Sequence, residues 1–164
     1  MSGAARAVLL DRDDTICVDV PHNGDPAKMR VYSHSPAAVK RLNDAGFLVI
    51  VITNQSGIGR GLYTVDDMVA VNEEMKSQLS VSGARIDDVY YCPHRPDEGC
   101  DCRKPNTGMG LRAIADHGLD PSRCWMVGDK EIDVEFGRRL GMSALRVTPE
   151  FTLADAVDEI LSHE

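Results

Sequence analysis

The sequence predicts an α/β protein, a doubly wound, Rossmann-like parallel sheet with helices on both faces. Two observations predict it. Short apolar runs alternate along the chain with stretches of helical periodicity, the order that a parallel sheet and its crossover helices produce. One of these runs, Phe47–Ile52, is apolar throughout and rich in β-branched residues, as befits a strand buried on both sides. The 164 residues, 43% hydrophobic and 27% charged, suit one compact domain spanning 1–164. A chain of this length buries roughly two-thirds of its surface on folding, enough for a core without disulfide or metal support.

The elements follow in order. Ala4–Leu10 is short, contains Arg6 and runs straight into Asp11, so it reads as a strand, centred on Ala7–Leu10, and not as a signal peptide. Ser35-Pro36 supplies an N-cap and a first-turn proline for a helix that Gly46 closes after Ala45. Phe47–Ile52 is the second strand. Thr64 and Asp67 have the spacing of a capping box, which opens a helix running to about Ser80. Val89–Tyr91 is the third strand, Cys124–Val127 the fourth and Ala144–Val147 the fifth. Further helices are expected at 107–117, 131–140 and 152–161. Two segments, 16–34 and 92–106, lack a regular period.

Eighteen basic residues against 26 acidic ones give a net charge of -8, which opposes general binding to nucleic acid or to anionic membrane. No run approaches the ~18 apolar residues that span a bilayer. No long exposed apolar stretch stands out either, so a monomer is expected. Five cysteines, three of them between Cys92 and Cys102, look unlike a disulfide framework and more like a reduced metal site, and a cytoplasmic location follows as an expectation. Cys92-Pro93-His94 and Cys100-Asp101-Cys102 offer three thiolates and an imidazole, the donor set of a closed, structural Zn²⁺ site. An unliganded group of thiols is the alternative. Four protein ligands leave no position for water, so the ion's role is to order this segment and thereby place Arg103 and Lys104. Cys124 reads as core, and Cys17 has no assignment.

In a doubly wound sheet, ligands sit beyond the carboxyl ends of the strands. That rule makes neighbours of Asp11, Thr53, Cys92 and Asp129, each at or just past the end of an expected strand. Asp11, Asp13 and Asp14 put three carboxylates in four residues, a repulsion that a cation would relieve. Mg²⁺ prefers oxygen ligands and needs only a couple of carboxylates plus a substrate phosphate. A carboxylate can also attack phosphorus, and a second one can protonate the leaving oxygen and then deprotonate water. Taken alone, the run is also compatible with a charged turn.

Asp11-x-Asp13-x-Thr15 after an apolar strand resembles the first signature of the haloacid dehalogenase superfamily. By that resemblance Asp11 is the nucleophile, Asp13 the acid/base, and Asp11, Asp13 and Asp129 hold Mg²⁺. The family usually has glycine where this chain has Asp14, a position suited to backbone conformations that aspartate tolerates less readily. Thr53 to Gly61 resembles the second signature, with Thr53 bonded to the transferring phosphoryl group and Asn54 holding substrate. Lys104 resembles the family's charge-balancing lysine, since phosphoryl transfer depends on fixed positive charge. Gly128-Asp129 resembles the fourth signature, and Asp133 is placed to hold a metal-bound water or Lys130.

All four signatures, with the cysteine loop, resemble the branch that contains heptose bisphosphate phosphatases and histidinol-phosphate phosphatase domains. No insertion is long enough to form a large cap. The resemblance implies removal of the C7 phosphate of D-glycero-D-manno-heptose 1,7-bisphosphate, with Arg60, Arg103 and Lys130 holding the remote phosphate. Histidinol phosphate is the alternative substrate. A polynucleotide-end phosphatase and a non-catalytic zinc-containing binding module are the remaining ones.

Overall fold

The computed structural model describes residues 4–164. Its five strands are β1 (Ala7–Leu10), β2 (Leu48–Asn54), β3 (Asp88–Cys92), β4 (Trp125–Gly128) and β5 (Ser143–Arg146). They form one sheet in the order β3-β2-β1-β4-β5, with every pairing parallel. Six helices complete the layers: α1 (Ser35–Asp44), α2 (Ser56–Gly59), α3 (Val65–Ser80), α4 (Gly108–His117), α5 (Glu131–Arg139) and α6 (Leu153–Ser162). Among the described residues no large cap lies over the sheet.

Both faces of the sheet are buried, and the side chains of each strand alternate between them. Val8 and Leu10 join Val49, Val51 and Val127 in a core shared with α1, α3 and α6. Ala7 and Leu9 join Ile50, Ile52 and Met126 in a second core shared with α4 and α5. An apolar run without polar interruption is therefore what the central strands require.

β1 has the expected bounds, and the ends of the other strands differ from those expected by one or two residues. β2 continues past its apolar run because Thr53 and Asn54 still pair with Tyr91 and Cys92 of β3. The capping box at Thr64 and Asp67 is formed in both directions. Ser35 is different: His34 is the capping residue, while the buried Ser35 hydroxyl donates to the Ile16 carbonyl at 2.6 Å. The Gly-rich run after Asn54 contains the one-turn helix α2.

Residues 16–34 run out and return without a long strand or helix. Val18 N donates to Arg30 O at 2.9 Å, and Tyr32 N to Ile16 O at 3.0 Å. Gln78 of α3 ties the returning arm down, accepting from Val31 N and donating to Met29 O, both at 2.9 Å. The tip of this excursion becomes a wall of the site. Among the described residues no helix is long and apolar enough to cross a membrane.

Candidate active site

β1 lies at the centre of the sheet, and the chain leaves it to build outward on either side, so the crevice falls at the carboxyl ends of β1, β2 and β4. A cavity of about 270 Å³ occupies this position, walled by Asp11, Asp13, Asn54, Lys104 and Asp129 and by residues 19–23 of the excursion.

Asp11, Asp129 and Asp133 converge here, with one carboxylate oxygen from each lying within 4.8 Å of the others. Asp133 comes from the first turn of α5 and packs against β4 at Gly128. A Cβ at that glycine would stand 2.3 Å from the carboxylate, so any larger residue would drive Asp133 out. The Lys104 ammonium is the counter-charge. It donates to Asp11 Oδ1 at 2.9 Å, Asp133 Oδ1 at 2.8 Å and Ile52 O at 2.8 Å. Burial disfavours its charge, but Asp11 and Asp133 outweigh that and hold its pKa above the usual lysine value.

One ammonium cannot balance three carboxylates. Burial, together with a hydrogen bond to Asp11 and the charges of Asp11 and Asp133, raises the Asp129 carboxyl to about 7. Burial and Asp11 also raise Asp133, despite Lys104. Asp129 Oδ1 is buried with no hydrogen-bond partner. An orphaned oxygen in an over-acidic cluster of hard donors fits a divalent cation.

The Asp13 carboxylate is not part of this cluster. Arg12 Nε donates to its Oδ1 at 3.1 Å and Arg12 Nη2 to its Oδ2 at 3.2 Å, which turns it toward the guanidinium. Asp133 supplies the third clustered carboxylate. Asp133 was expected to hold a metal-bound water or Lys130; its oxygens instead accept from the Lys104 ammonium and, at 3.1 Å, from the backbone N–H of Lys130.

The other expected site residues divide. Arg103, Lys130 and Asn54 line the cavity. The Asn54 amide is engaged with the chain itself, accepting from Lys104 N at 3.0 Å and donating to Lys104 O at 3.4 Å. Arg60 is exposed just beyond α2 and is not among the lining residues. Thr53 is buried at the end of β2 beside the cavity-lining Asn54, its hydroxyl accepting from Gln55 Nε2 at 2.7 Å. Gln55 accepts in turn from the Tyr63 hydroxyl. Gly57 leaves room for that ring: a Cβ there would sit 2.2 Å from Tyr63 Cε1. Sequence reasoning missed Gln55 and Tyr63, because only packing brings Tyr63 back onto the strand end.

Asp14 has φ 62, the left-handed region. Its carboxylate accepts from Tyr32 OH at 3.1 Å and Asp19 N at 3.2 Å, so it fastens the excursion to the end of β1, which glycine would not do. At this φ an alanine is strained and a glycine is not. Asp14→Ala should therefore be less stable than Asp14→Gly by about 1 kcal/mol in urea unfolding; equal stabilities would refute the strain argument.

Beyond β3, Cys92, His94, Cys100 and Cys102 face one another, with one donor atom from each inside 4.8 Å. Cys92 Sγ lies 3.6 Å from Cys100 Sγ and 2.9 Å from Cys102 Sγ, and His94 Nδ1 lies 3.1 Å from Cys102 Sγ. Three soft sulfurs and an imidazole fit Zn²⁺. Against its desolvation, the Cys100 thiol is drawn down to about 7 by the backbone N–H groups of Arg103 and Cys102 and by Cys92. The loop is docked on its neighbours, with Gln55 N donating to Cys92 O at 2.8 Å and Gly59 N to Pro93 O at 2.8 Å. Of the remaining cysteines, Cys124 is core, as expected, and so is Cys17.

Comparison with known proteins adds four findings. A family model described as HAD-hydrolase-like matches residues 101–163. The chain is 42% identical to the D-glycero-beta-D-manno-heptose-1,7-bisphosphate 7-phosphatase of Pseudomonas putida, over 94% of this chain and 90% of the relative. It is 39% identical to a protein of Thermoplasma volcanium named "Probable D-glycero-D-manno-heptose-1,7-bisphosphate 7-phosphatase", over 82% of this chain and 93% of the relative. In structure it is similar to the D,D-heptose 1,7-bisphosphate phosphatase of B. bronchiseptica complexed with magnesium and phosphate. That match has a TM-score of 0.88 and 27% identity, and covers 98% of this chain and 99% of the other.

Proposed function

This chain belongs to the haloacid dehalogenase-like hydrolases, as a phosphoric monoester hydrolase, and from that premise we propose that it removes the C7 phosphate of D-glycero-D-manno-heptose 1,7-bisphosphate. The observation that carries the reading is the meeting of Asp11 with Asp129, Asp133 and Lys104 at the floor of a small polar cavity. A carboxylate held beside a fixed ammonium is equipped to attack phosphorus and to have the resulting charge balanced.

In this reading an Asp11 oxygen attacks the C7 phosphorus, the bond to the sugar oxygen breaks, and that oxygen takes a proton from Asp13. Water then attacks the phosphorus of the aspartyl-phosphate as Asp13 takes its proton, releasing inorganic phosphate and restoring Asp11. Lys104 balances charge on Asp11, and the Thr53 hydroxyl donates to the phosphoryl group. Arg103 and Lys130, both on the cavity wall, receive the C1 phosphate, which stays in the product. Asp11, Asp129 and Asp133 would hold Mg²⁺, which when bound neutralises the cluster and polarises the phosphoryl oxygens. Cys92, His94, Cys100 and Cys102 would hold Zn²⁺, ordering the loop that carries Arg103 and Lys104.

A substrate profile tests the reading. Catalytic efficiency should be highest on the heptose 1,7-bisphosphate and lower on sugar monophosphates and histidinol phosphate. Preference for histidinol phosphate would overturn the substrate, and no hydrolysis of any phosphoester would overturn the reaction. Elemental analysis should find one zinc per chain.

The acidic cluster also sets a pH dependence. The Asp129 carboxyl sits at about 7 in the folded protein, against about 3.9 in an unfolded chain. Between these values the native state binds the extra proton, so its contribution is complete below about 4 and is lost as the pH rises through about 7. Without divalent ion the thermal midpoint should be lower at pH 8 than at pH 5.5. Because Mg²⁺ competes with that proton, it should raise the midpoint more at pH 8 than at pH 5.5. A larger effect at pH 5.5 would contradict the placement of the ion.

A further inference from the structure

Asp11, Asp13, Asp129 and Asp133 all line the cavity, and these four carboxylates are divided between two cations. Asp11 and Asp133 are on Lys104, with Asp129 beside them. Asp13, two residues from Asp11, is on Arg12. We propose that Arg12, anchored by Asn72, is a positioning residue that keeps the Asp13 carboxylate out of the metal cluster and at the cavity wall, where it serves proton transfer. The proposal rests on the phosphatase reading above and goes beyond it by assigning what separates metal-binding acids from the acid/base.

Arg12 is one of the largest fully buried side chains of the protein, only 1% exposed. A buried guanidinium persists only where its charge and its donors are met. Its fork spans both oxygens of Asp13, a two-point contact that fixes the carboxylate's plane as well as its position. The remaining arm, Nη1, donates to Asn72 Oδ1 at 2.9 Å. Asn72 is itself buried, on α3, sixty residues along the chain, so the helix holds the guanidinium and the guanidinium holds Asp13. The Cys17 thiol, 3.6 Å from Asp13 Oδ1, closes the same side. Asp13 keeps access to the cavity, with about 29% of its side chain exposed.

Coulomb energy gives the reason for the separation. A fourth carboxylate in a cluster that already holds three would tighten divalent binding but would leave no carboxyl free to exchange a proton. Arg12 offers Asp13 a better partner elsewhere. Arg12→Met should therefore move two quantities in opposite senses: kcat falls on the order of 10²-fold, while Mg²⁺ binds several-fold more tightly by calorimetry. Damage to packing alone would weaken both.

Because Arg12→Met also strips Asp13 and Asn72 of a buried partner, a second variant is needed. Asn72→Leu keeps the ion pair but frees the guanidinium, and should lower kcat several-fold with KM little changed. Its effect should vanish in an Asp13→Asn background, since it acts only through Asp13. Unchanged kcat in Asn72→Leu, additive losses with Asp13→Asn, or weaker Mg²⁺ binding in folded Arg12→Met would each overturn the proposal. A wild-type protein without phosphatase activity would instead overturn the reading on which it rests.

Discussion

Asp11→Asn should lower phosphate release by roughly 10⁴-fold or more, because no other carboxylate has the nucleophile's position. Asp129 and Asp133 lie close by, but both are set back on the β4 side, and Asp133 is committed to Lys104 and the Lys130 N–H. The fold should survive the substitution. Asp11 is a cause of the raised pKa of both Asp129 and Asp133, so removing its charge relieves repulsion while costing Lys104 one of three acceptors. These effects oppose each other. A phosphate-release assay together with a thermal melt checks the expectation, and rapid quenching with labelled substrate should trap phosphate on the wild-type protein but not on the variant. Wild-type turnover in a folded Asp11→Asn would remove Asp11 from the mechanism.

Lys104→Met should be damaging in a second way, through stability. Lys104 is 3% exposed and its ammonium meets Asp11, Asp133 and the Ile52 carbonyl, so deleting the charge leaves buried carboxylates without a counter-ion. Loss of one side of a buried pair costs roughly 3–5 kcal/mol. The sign with pH follows from the carboxylates. Asp133 and Asp129 are already raised, and Asp133, which the ammonium lowers in the wild type, rises further without it, so the variant should lose most stability at high pH and least where the acids are protonated. Urea unfolding of both proteins at pH 5.5 and pH 8 measures this difference. Turnover should fall on the order of 10²-fold or more at saturating Mg²⁺, since fixed charge beside the nucleophile is absent. A variant as stable as wild type at pH 8 would show that the ammonium is not balancing the cluster.

Local and long-range interactions leave different traces in a sequence. Val49, Ile50, Val51 and Ile52 announce a two-sided strand by composition alone, and Thr64 with Asp67 announces a helix start by local hydrogen bonding. Both signals act over a few residues, so they are legible without a fold. The role of Asp133 is not legible in this way. Its part depends on Gly128 leaving space and on Lys104 arriving from another loop, contacts that span 5 and 29 positions along the chain. The resemblance put Asp13 with Asp11 and Asp129 around Mg²⁺, whereas the carboxylates that cluster are those of Asp11, Asp129 and Asp133. Nothing in the residue order singles out Arg12 between Asp11 and Asp13, and only its burial beside Asn72 identifies it as a partner.

By itself, the sequence determined the class of the sheet, the start of α3, the identity of the acids and thiols at the strand ends, and the family whose signatures they carry. These are properties of residue order, periodicity and side-chain chemistry. Only the tertiary structure decided the strand order β3-β2-β1-β4-β5, the wall that residues 19–23 give the cavity, and the sorting of four carboxylates between Lys104 and Arg12. The physical reason is that electrostatic partners are chosen by distance and burial in space. Charges far apart in the chain meet across the sheet, and which pair forms depends on how the layers pack.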